Sequence, residues 1–564
     1  MQELFALPSH PDIRKNTGVS VLLYSWLCIG LNIVLPNHGG AGLSLPQNLM
    51  AWAVMSIIAL WCICYPKKRS NAVKIKCPAG TALIIAGAVL WSVPLLWSSR
   101  VDWQWNALPK VLALWGLTAF YVILLCTTSC RRLRSRWLTI LVLAALIQAG
   151  YGFRQLLELK SLTGGRPYGS FQQVNLLASF LATGMVCALW LFLQNYRRIL
   201  KMLTGIALVI LPATLIILQS RAGEIGALLS SIIILALVLP HKKQRVIAAL
   251  LLIATGIFLG SILQHLFPHF LPMVDKENST YFRLYMLKLT WQLIQMHPFT
   301  GNGYGSFEAL FGQLAQQTPP GLEASTVMYP HNELFYAWAE GGLVAVAGIF
   351  CFTAGVMQRL WSSGGAKWAG MAFLLPIAVH MNLEYPLYQS ITHGLTIIML
   401  LVVCGDGLRY SGSATQMAPT NSYGCTWLWR SAAILSAMAI FIFMVTGIQT
   451  QLALTRIENQ QLAPLAFDEQ NVIHSLLNPY SQFDRLDFDK HVALLVRFNL
   501  THDVALIKEF QRWAEEYLQV HNDPSVYFSL LTILRARQSP LAESICQEAH
   551  FRWISDQRFI CIKQ

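Results

Sequence analysis

The sequence predicts an all-α, polytopic membrane protein, and three observations predict it. Apolar residues make up 55% of the 564-residue chain and charged residues only 12%, where soluble domains carry about a quarter charged. Runs of about 20 apolar residues, the length that crosses a bilayer as a helix, recur along the chain. Lys and Arg gather in alternate short loops between those runs, the bias that sets orientation in a membrane. The eighteen Trp and eighteen Tyr suit the belts where amphipathic rings sit at headgroup level.

Spans are expected near 19–36, 47–65, 79–97, 107–128, 136–153, 174–193, 200–218, 222–239, 246–264, 334–356, 367–382, 390–408 and 431–450, about thirteen in all. The first has no A-x-A cleavage site and reads as an anchor. The basic loops carry Arg14 and Lys15; Lys67, Lys68, Arg69, Lys74 and Lys76; Arg131, Arg132, Arg134 and Arg136; Arg197, Arg198 and Lys201; and Lys242, Lys243 and Arg245. The net charge of +14 therefore sits in topology-setting loops and does not point to nucleic acid. With the basic set in the cytoplasm, four segments face the opposite side. They are the loop 154–173, the turn Gln219-Ser220-Arg221, the long loop of about 265–333 and the short loop 381–389.

The chain divides into a membrane unit, 1–451, and a C-terminal segment, 452–564, which an odd span count puts on the outer side. That segment mixes charges with apolar residues at helical spacing, as in Leu494-Leu495-Phe498 and Ile507-Phe510-Trp513. It reads as four to six amphipathic helices. No CxxC pair occurs among the twelve cysteines, so neither a zinc ribbon nor a redox motif is indicated. Cys546 and Cys561 could pair if this end is periplasmic.

Candidate chemistry collects on the outer side. Arg221 sits between two apolar runs with almost no loop. It is either an interfacial snorkeler or an anion-binding group facing a cavity, for which its planar fork is suited. His331 lies in Pro330-His331-Asn332-Glu333, where it fits both a helix-capping role and a general base at the membrane surface. Its H-x-E pattern lacks the P-C-x-x-C partner of zinc deaminases, so no metal is expected. The run His297-Pro298-Phe299-Thr300-Gly301-Asn302-Gly303-Tyr304-Gly305 is not a dinucleotide fingerprint and reads as a turn allowing close chain approach. Before it, 281–296 looks like an interfacial amphipathic helix with Arg283 and Lys288 on its polar side, in reach of a phosphate or only of headgroups. The loop 164–175 offers Arg166 and a row of amides including Gln173 and Asn175, which suit sugar hydroxyls as well as ordinary turns. Glu384-Tyr385-Pro386-Leu387-Tyr388 puts a carboxylate and two phenols beside a span end, an expensive place for a charge.

These motifs, in this order, resemble the O-antigen ligase superfamily: Arg166-Pro-Tyr-Gly-Ser-Phe-x-Gln-x-Asn175, Ser220-Arg221-Ala-Gly, His297-Pro-x-x-Gly-x-Gly-x-Gly-x-Phe307, His331-Asn-Glu and Glu384-Tyr-Pro-Leu. Within it, the chain resembles the bacterial protein O-oligosaccharyltransferases that glycosylate type IV pilins. The resemblance covers about 15–410, and the C-terminal helices are similar to those appended to pilin-glycosylating members. It implies a GT-C-type helical bundle in the inner membrane of a Gram-negative bacterium, with its site facing the periplasm. It implies transfer of a glycan from undecaprenyl-pyrophosphate to a Ser or Thr hydroxyl of a pilin-like protein, with inversion and without metal or other cofactor. His331 would be the family's loop histidine. Arg221, and less directly Arg166 and Arg283, would be its arginines, and Tyr385 or Tyr388 its tyrosine.

Positioned arginines can stabilise a departing pyrophosphate, and a histidine base activates a poor hydroxyl nucleophile. Three rivals remain: a ligase acting on lipid A core, a polysaccharide polymerase, and a non-enzymatic glycolipid transporter. A transporter calls for charged or broken segments near the midplane, whereas the polar residues here collect at the outer edge.

Overall fold

The computed structural model describes residues 11–65, 78–127, 130–158, 165–194, 197–268, 271, 277–315, 327–362, 366–404 and 423–561. The basic loop Lys67–Lys76, Gly164, parts of the long loop (269–270, 272–276 and 316–326) and 405–408 of the span expected at 390–408 lie outside them, as do the side chains of Arg14, Arg131 and Arg132. The described chain is helical, with no β-strand among the described residues. The protein is an all-α polytopic membrane protein.

Among the described residues, nine helices are long and apolar enough to cross a bilayer: α2 (Pro46–Cys64), α4 (Val101–Thr127), α5 (Cys130–Glu158), α6 (Val174–Leu193), α7 (Arg198–Leu218), α8 (Arg221–Val238), α9 (Lys243–Leu266), α12 (Glu333–Trp361) and α16 (Tyr423–Asn459). The other four expected spans fall on shorter helices: α1 (Pro11–Tyr24), α3 (Thr81–Ser92), α13 (Lys367–Leu383) and α15 (Ile391–Cys404). α1 is prolonged by a π-turn at Ser25–Ile29 and α3 by a 3₁₀ segment at Val93–Trp97. The 14 described residues of α15 rise about 21 Å, less than the roughly 30 Å hydrocarbon core. α3 with its 3₁₀ extension and α15 are apolar but shorter than the nine.

Helix α6 is the centre of the bundle. It carries no charged residue, and 94% of its window is buried, as expected of a helix that is apolar all round. Helices α5, α7, α8 and α13 pack around it. Helix α16 is the opposite case, with only 17% of its span buried; it leans on α2 and otherwise presents apolar residues outward.

The two ends of α6 differ in charge. Its last turn is covered by Lys242 Nζ at 3.0 Å from the Leu193 carbonyl and Arg245 Nη1 at 3.0 Å from that of Gln194. Arg134 similarly donates to the Val403 carbonyl at the end of α15, at 2.9 Å. These cations meet the negative ends of helix dipoles, which places Arg134, Lys242 and Arg245 at helix C-termini.

The described part of the long loop packs into the fold. Helix α10 (Glu277–Met296) buries Met286, Leu289, Leu293 and Ile294 with α12 and α11 (Phe307–Ala315). Helix α12 breaks at Gly342, at φ 62° and ψ −160°. The break frees two carbonyls that the Gly-rich run takes up: Asn302 N–H reaches Ala339 O and Gly303 N–H reaches Glu340 O, both at 2.9 Å. A Cβ at Gly301 would collide with the Glu340 carbonyl, and one at Gly305 with that of Trp103. The run is therefore the close chain approach expected from its glycines.

Beyond the span, α16 runs on to Asn459. The short α14 (Pro386–Gln389) lies between α13 and α15. After α16 come α17 (Ala463–Ser475), α18 (Phe483–Thr501), α19 (Val504–Tyr517), α20 (Pro524–Ala536) and α21 (Leu541–Arg552). Ile507, Phe510, Trp513, Leu530 and Trp553 form a separate core here, and Cys546 and Cys561 are disulfide-bonded. The segment docks on the long loop, where Glu308 of α11 accepts from Asn522 N–H at 2.8 Å and meets His521 Nδ1 at 3.2 Å.

Candidate active site

Helices α6, α8 and α12 start at one end of the bundle, and each is entered the same way. A left-handed residue precedes a polar cap: Gln172 (φ 60°) before Gln173, Gln219 (φ 51°) before Ser220, and His331 (φ 58°) before Asn332. Gln173 Oε1 accepts from Leu176 N–H at 2.6 Å and Asn332 Oδ1 from Phe335 N–H at 3.0 Å. Ser220 Oγ accepts from Gly223 N–H at 3.4 Å. Capped helix starts turned toward one place favour negative charge there.

Glu384, which ends α13, is the hub. Gln173 Nε2 donates to its Oε2 at 2.9 Å, and Asn175 Nδ2 donates to its Oε1. Arg283 of α10 donates to Oε1 at 2.9 Å, and His380 Nε2 lies 3.2 Å from Oε2. Burial works to raise the Glu384 carboxyl, but the His380 hydrogen bond and the charge of Arg283 outweigh it and hold it below the usual carboxylate range. Ser220 Oγ donates to Asn175 Oδ1 at 2.7 Å, which couples the start of α8 to the hub.

Around the hub lie the arginines. Arg221, first residue of α8, donates to Thr280 Oγ1 on α10, one turn before Arg283. Arg166 Nη1 reaches the Leu218 carbonyl at 3.4 Å, where α7 turns into α8. Lys288 is not drawn in. It is exposed, and its five-residue offset from Arg283 turns it about 140° round α10. The expected shared polar side of Arg283 and Lys288 is thus corrected: α10 spends Arg283 on Glu384 and leaves Lys288 outside.

His331 stands beside this cluster. A backbone hydrogen bond to Leu383 engages the ring, while Nδ1 is buried with no hydrogen-bond partner among the described residues. Burial is the main influence on the imidazole and pulls its pKa below the ordinary histidine value; Arg283 adds to this and the Glu384 carboxylate opposes it. The ring is therefore neutral near pH 7, the state a base requires.

The two tyrosines separate. Tyr385 lies edge-on to His331 with ring centres 5.2 Å apart. Tyr388 instead donates its hydroxyl to Glu333 Oε1 at 2.7 Å and stacks on Tyr329 at 4.8 Å. Lys110 of α4 donates to Tyr336 and lies over the rings of Tyr329 and Tyr388. Lys110, Tyr329, His380 and His393 are not singled out by the sequence, and Glu333 only as part of the His331-Asn-Glu motif at a helix start. Lys110 carried a signal, as a charge within an apolar run, and His380 stands four residues before Glu384, on the same helix face.

Comparison with known families gives three matches. Residues 206–352 match the O-antigen ligase family. Residues 368–556 match the C-terminal part of the virulence factor membrane-bound polymerases. Residues 167–192, which supply Gln173 and Asn175, match the protein glycosylation ligases. No curated protein matches the chain. Together the matches support a membrane glycan ligase of the O-antigen ligase superfamily.

Proposed function

We propose that this protein transfers an oligosaccharide from an undecaprenyl-pyrophosphate carrier to a Ser or Thr hydroxyl of a periplasmic acceptor protein of pilin type. It does so at the periplasmic face of a Gram-negative inner membrane. The observation that carries the reading is the meeting of two sequence-distant segments, Gln173 with Asn175 and Arg283 of α10, on Glu384, beside a histidine whose buried Nδ1 has no hydrogen-bond partner among the described residues. The match of 167–192 to protein glycosylation ligases supports a protein as acceptor.

The chemistry follows from the residues. His331 Nδ1 takes the proton of the acceptor hydroxyl as its oxygen attacks the anomeric carbon. The bond from that carbon to the phosphate oxygen breaks on the opposite face, so the configuration inverts. The pyrophosphate leaves with the bonding pair, and Arg221, Arg283 and Arg166 stabilise its growing charge. Gln173 and Asn175, oriented by Glu384, are placed to hydrogen-bond sugar hydroxyls, and Tyr385 borders the base. In this division of the chain, residues 1–451 perform the transfer and the C-terminal helices support the acceptor side.

A second reading has its own support. The match of 368–556 is to a polymerase family, and in a polymerase the acceptor is another lipid-linked glycan. The test uses full-length protein in vesicles with a lipid-linked oligosaccharide and three acceptors in separate arms: a pilin-type protein, lipid A core and a second lipid-linked glycan. Transfer to the protein upholds the proposal. Transfer only to lipid A core or to the glycan replaces it with the ligase or the polymerase. Movement of donor across the bilayer without transfer makes the protein a transporter.

A further inference from the structure

Behind Glu384 a chain of polar side chains runs into the apolar bundle. His380 Nε2 lies 3.2 Å from Glu384 Oε2, and His380 Nδ1 lies 2.8 Å from Ser179 Oγ. Ser179 Oγ is 3.1 Å from His393 Nε2, and His393 Nδ1 is 2.8 Å from Ser390 Oγ. Ser179, His380 and His393 are each 0% exposed. Two imidazoles and a hydroxyl at such depth are costly unless fully paired, and none of them touches the face where Arg283 and Asn175 meet Glu384.

The direction of the chain is fixed independently from both ends. An ionised Glu384 can only accept, so a neutral His380 carries its proton on Nε2 and leaves Nδ1, at 2.8 Å, as the nearer acceptor for the Ser179 O–H, which the Leu176 carbonyl shares at 3.2 Å. At the far end His393 Nε2 also lies 3.2 Å from the Leu176 carbonyl, which can only accept. Nε2 of His393 is therefore protonated as well, donates toward Ser179 Oγ, and leaves Nδ1 to accept from Ser390 O–H. Along the chain itself the donors point toward the carboxylate, with the Leu176 carbonyl as a side acceptor for Ser179 and His393. Bonds aligned head to tail polarise one another and strengthen the last one. The chain ends at Ser390, which borders a small cavity with Asn48, Ser170 and Gln389.

We propose that Ser390, His393, Ser179 and His380 form a polarised positioning chain that fixes the orientation and ionisation of Glu384. Through Glu384 it sets the placement of Gln173, Asn175 and Arg283 in the site. His380 is thus a positioning residue. The inference rests on the proposed transfer reaction only for its consequence in catalysis; the ionisation of Glu384 is measurable without it. Other groups facing Glu384 are Arg283 from α10, Arg166 from the loop before α6, His331 from the loop before α12, and the adjacent Tyr385.

The test is infrared titration of the full-length protein in vesicles. It follows the carboxylic-acid carbonyl band of Glu384, identified by its disappearance in Glu384→Gln. Ser179→Ala cuts the chain while keeping its volume, and His380→Phe removes the donor. Both are expected to raise the midpoint, His380→Phe by roughly one pH unit. His380→Gln, whose amide can donate to Glu384 and accept from Ser179, is expected to hold it. An unmoved midpoint in Ser179→Ala and His380→Phe overturns the proposal; if His380→Phe fails to fold, Ser179→Ala alone decides. A moved midpoint with unchanged glycan transfer upholds the chain and counts against the proposed reaction.

Discussion

Arg283 Nη2 lies 2.9 Å from Glu384 Oε1, with side chains 25% and 7% exposed. This contact ties the helix of the long loop to the last outer turn across 101 residues of sequence. A pair so shielded is expected to act as a unit, unlike an exposed ion pair. In a double-mutant cycle on kcat/KM for glycan transfer, Arg283→Ala and Glu384→Ala should show a coupling of about 1–3 kcal/mol. Strict additivity would give the two residues separate roles.

His331 is a base only when neutral, and burial holds its pKa below the ordinary histidine value. A lowered value means that the ring resists protonation as pH falls. The rate kcat/KM should therefore stay level down to about pH 6.5, the unperturbed histidine value, and decline only below it. A decline already complete at that pH would put the base elsewhere.

Tyr385 and Tyr388 should part company in stability measurements. Tyr388→Phe strips Glu333 of a hydroxyl donor and should cost about 1–3 kcal/mol, read as a lower midpoint in thermal unfolding. Tyr385→Phe leaves the His331 ring contact in place and should unfold with the parent protein. Its effect, if the phenol serves the reaction, lies in kcat.

Glu308 joins the C-terminal helices to the long loop through Asn522 N–H and His521. Glu308→Ala leaves a buried N–H unsatisfied and should weaken the docking by about 1–3 kcal/mol. Limited proteolysis of the full-length protein should then cut faster between α19 and α20. Equal cutting rates would mean that the docking is carried elsewhere, for example by the Trp103 indole bond to the Gln519 carbonyl.

The helices were legible because a span announces itself by length: α6, α7 and α9 are uninterrupted apolar runs. Glu384, Gln173, Asn175, Arg221 and Arg283 stood out because polar residues at span ends are few and costly. Their partners were harder to see. That Arg283 and not Lys288 meets Glu384 depends on the rotation of α10, which packing of Met286 and Leu289 decides. His380, His393 and Ser179 lie inside apolar runs, where a single polar residue reads as part of the span. The break in α12 at Gly342 was invisible for the same reason: only the Gly301–Gly305 run, docked into it from elsewhere in the chain, explains it.

The proposed role of His331 is to serve a transfer to protein. The most direct measurement is the intact mass of a pilin-type acceptor over time, with a lipid-linked oligosaccharide and either the wild-type protein or His331→Ala in the same vesicles. The account predicts a gain of one glycan mass with the wild type and a rate lower by about 10²–10⁴-fold with His331→Ala. Equal rates from the two proteins would contradict it.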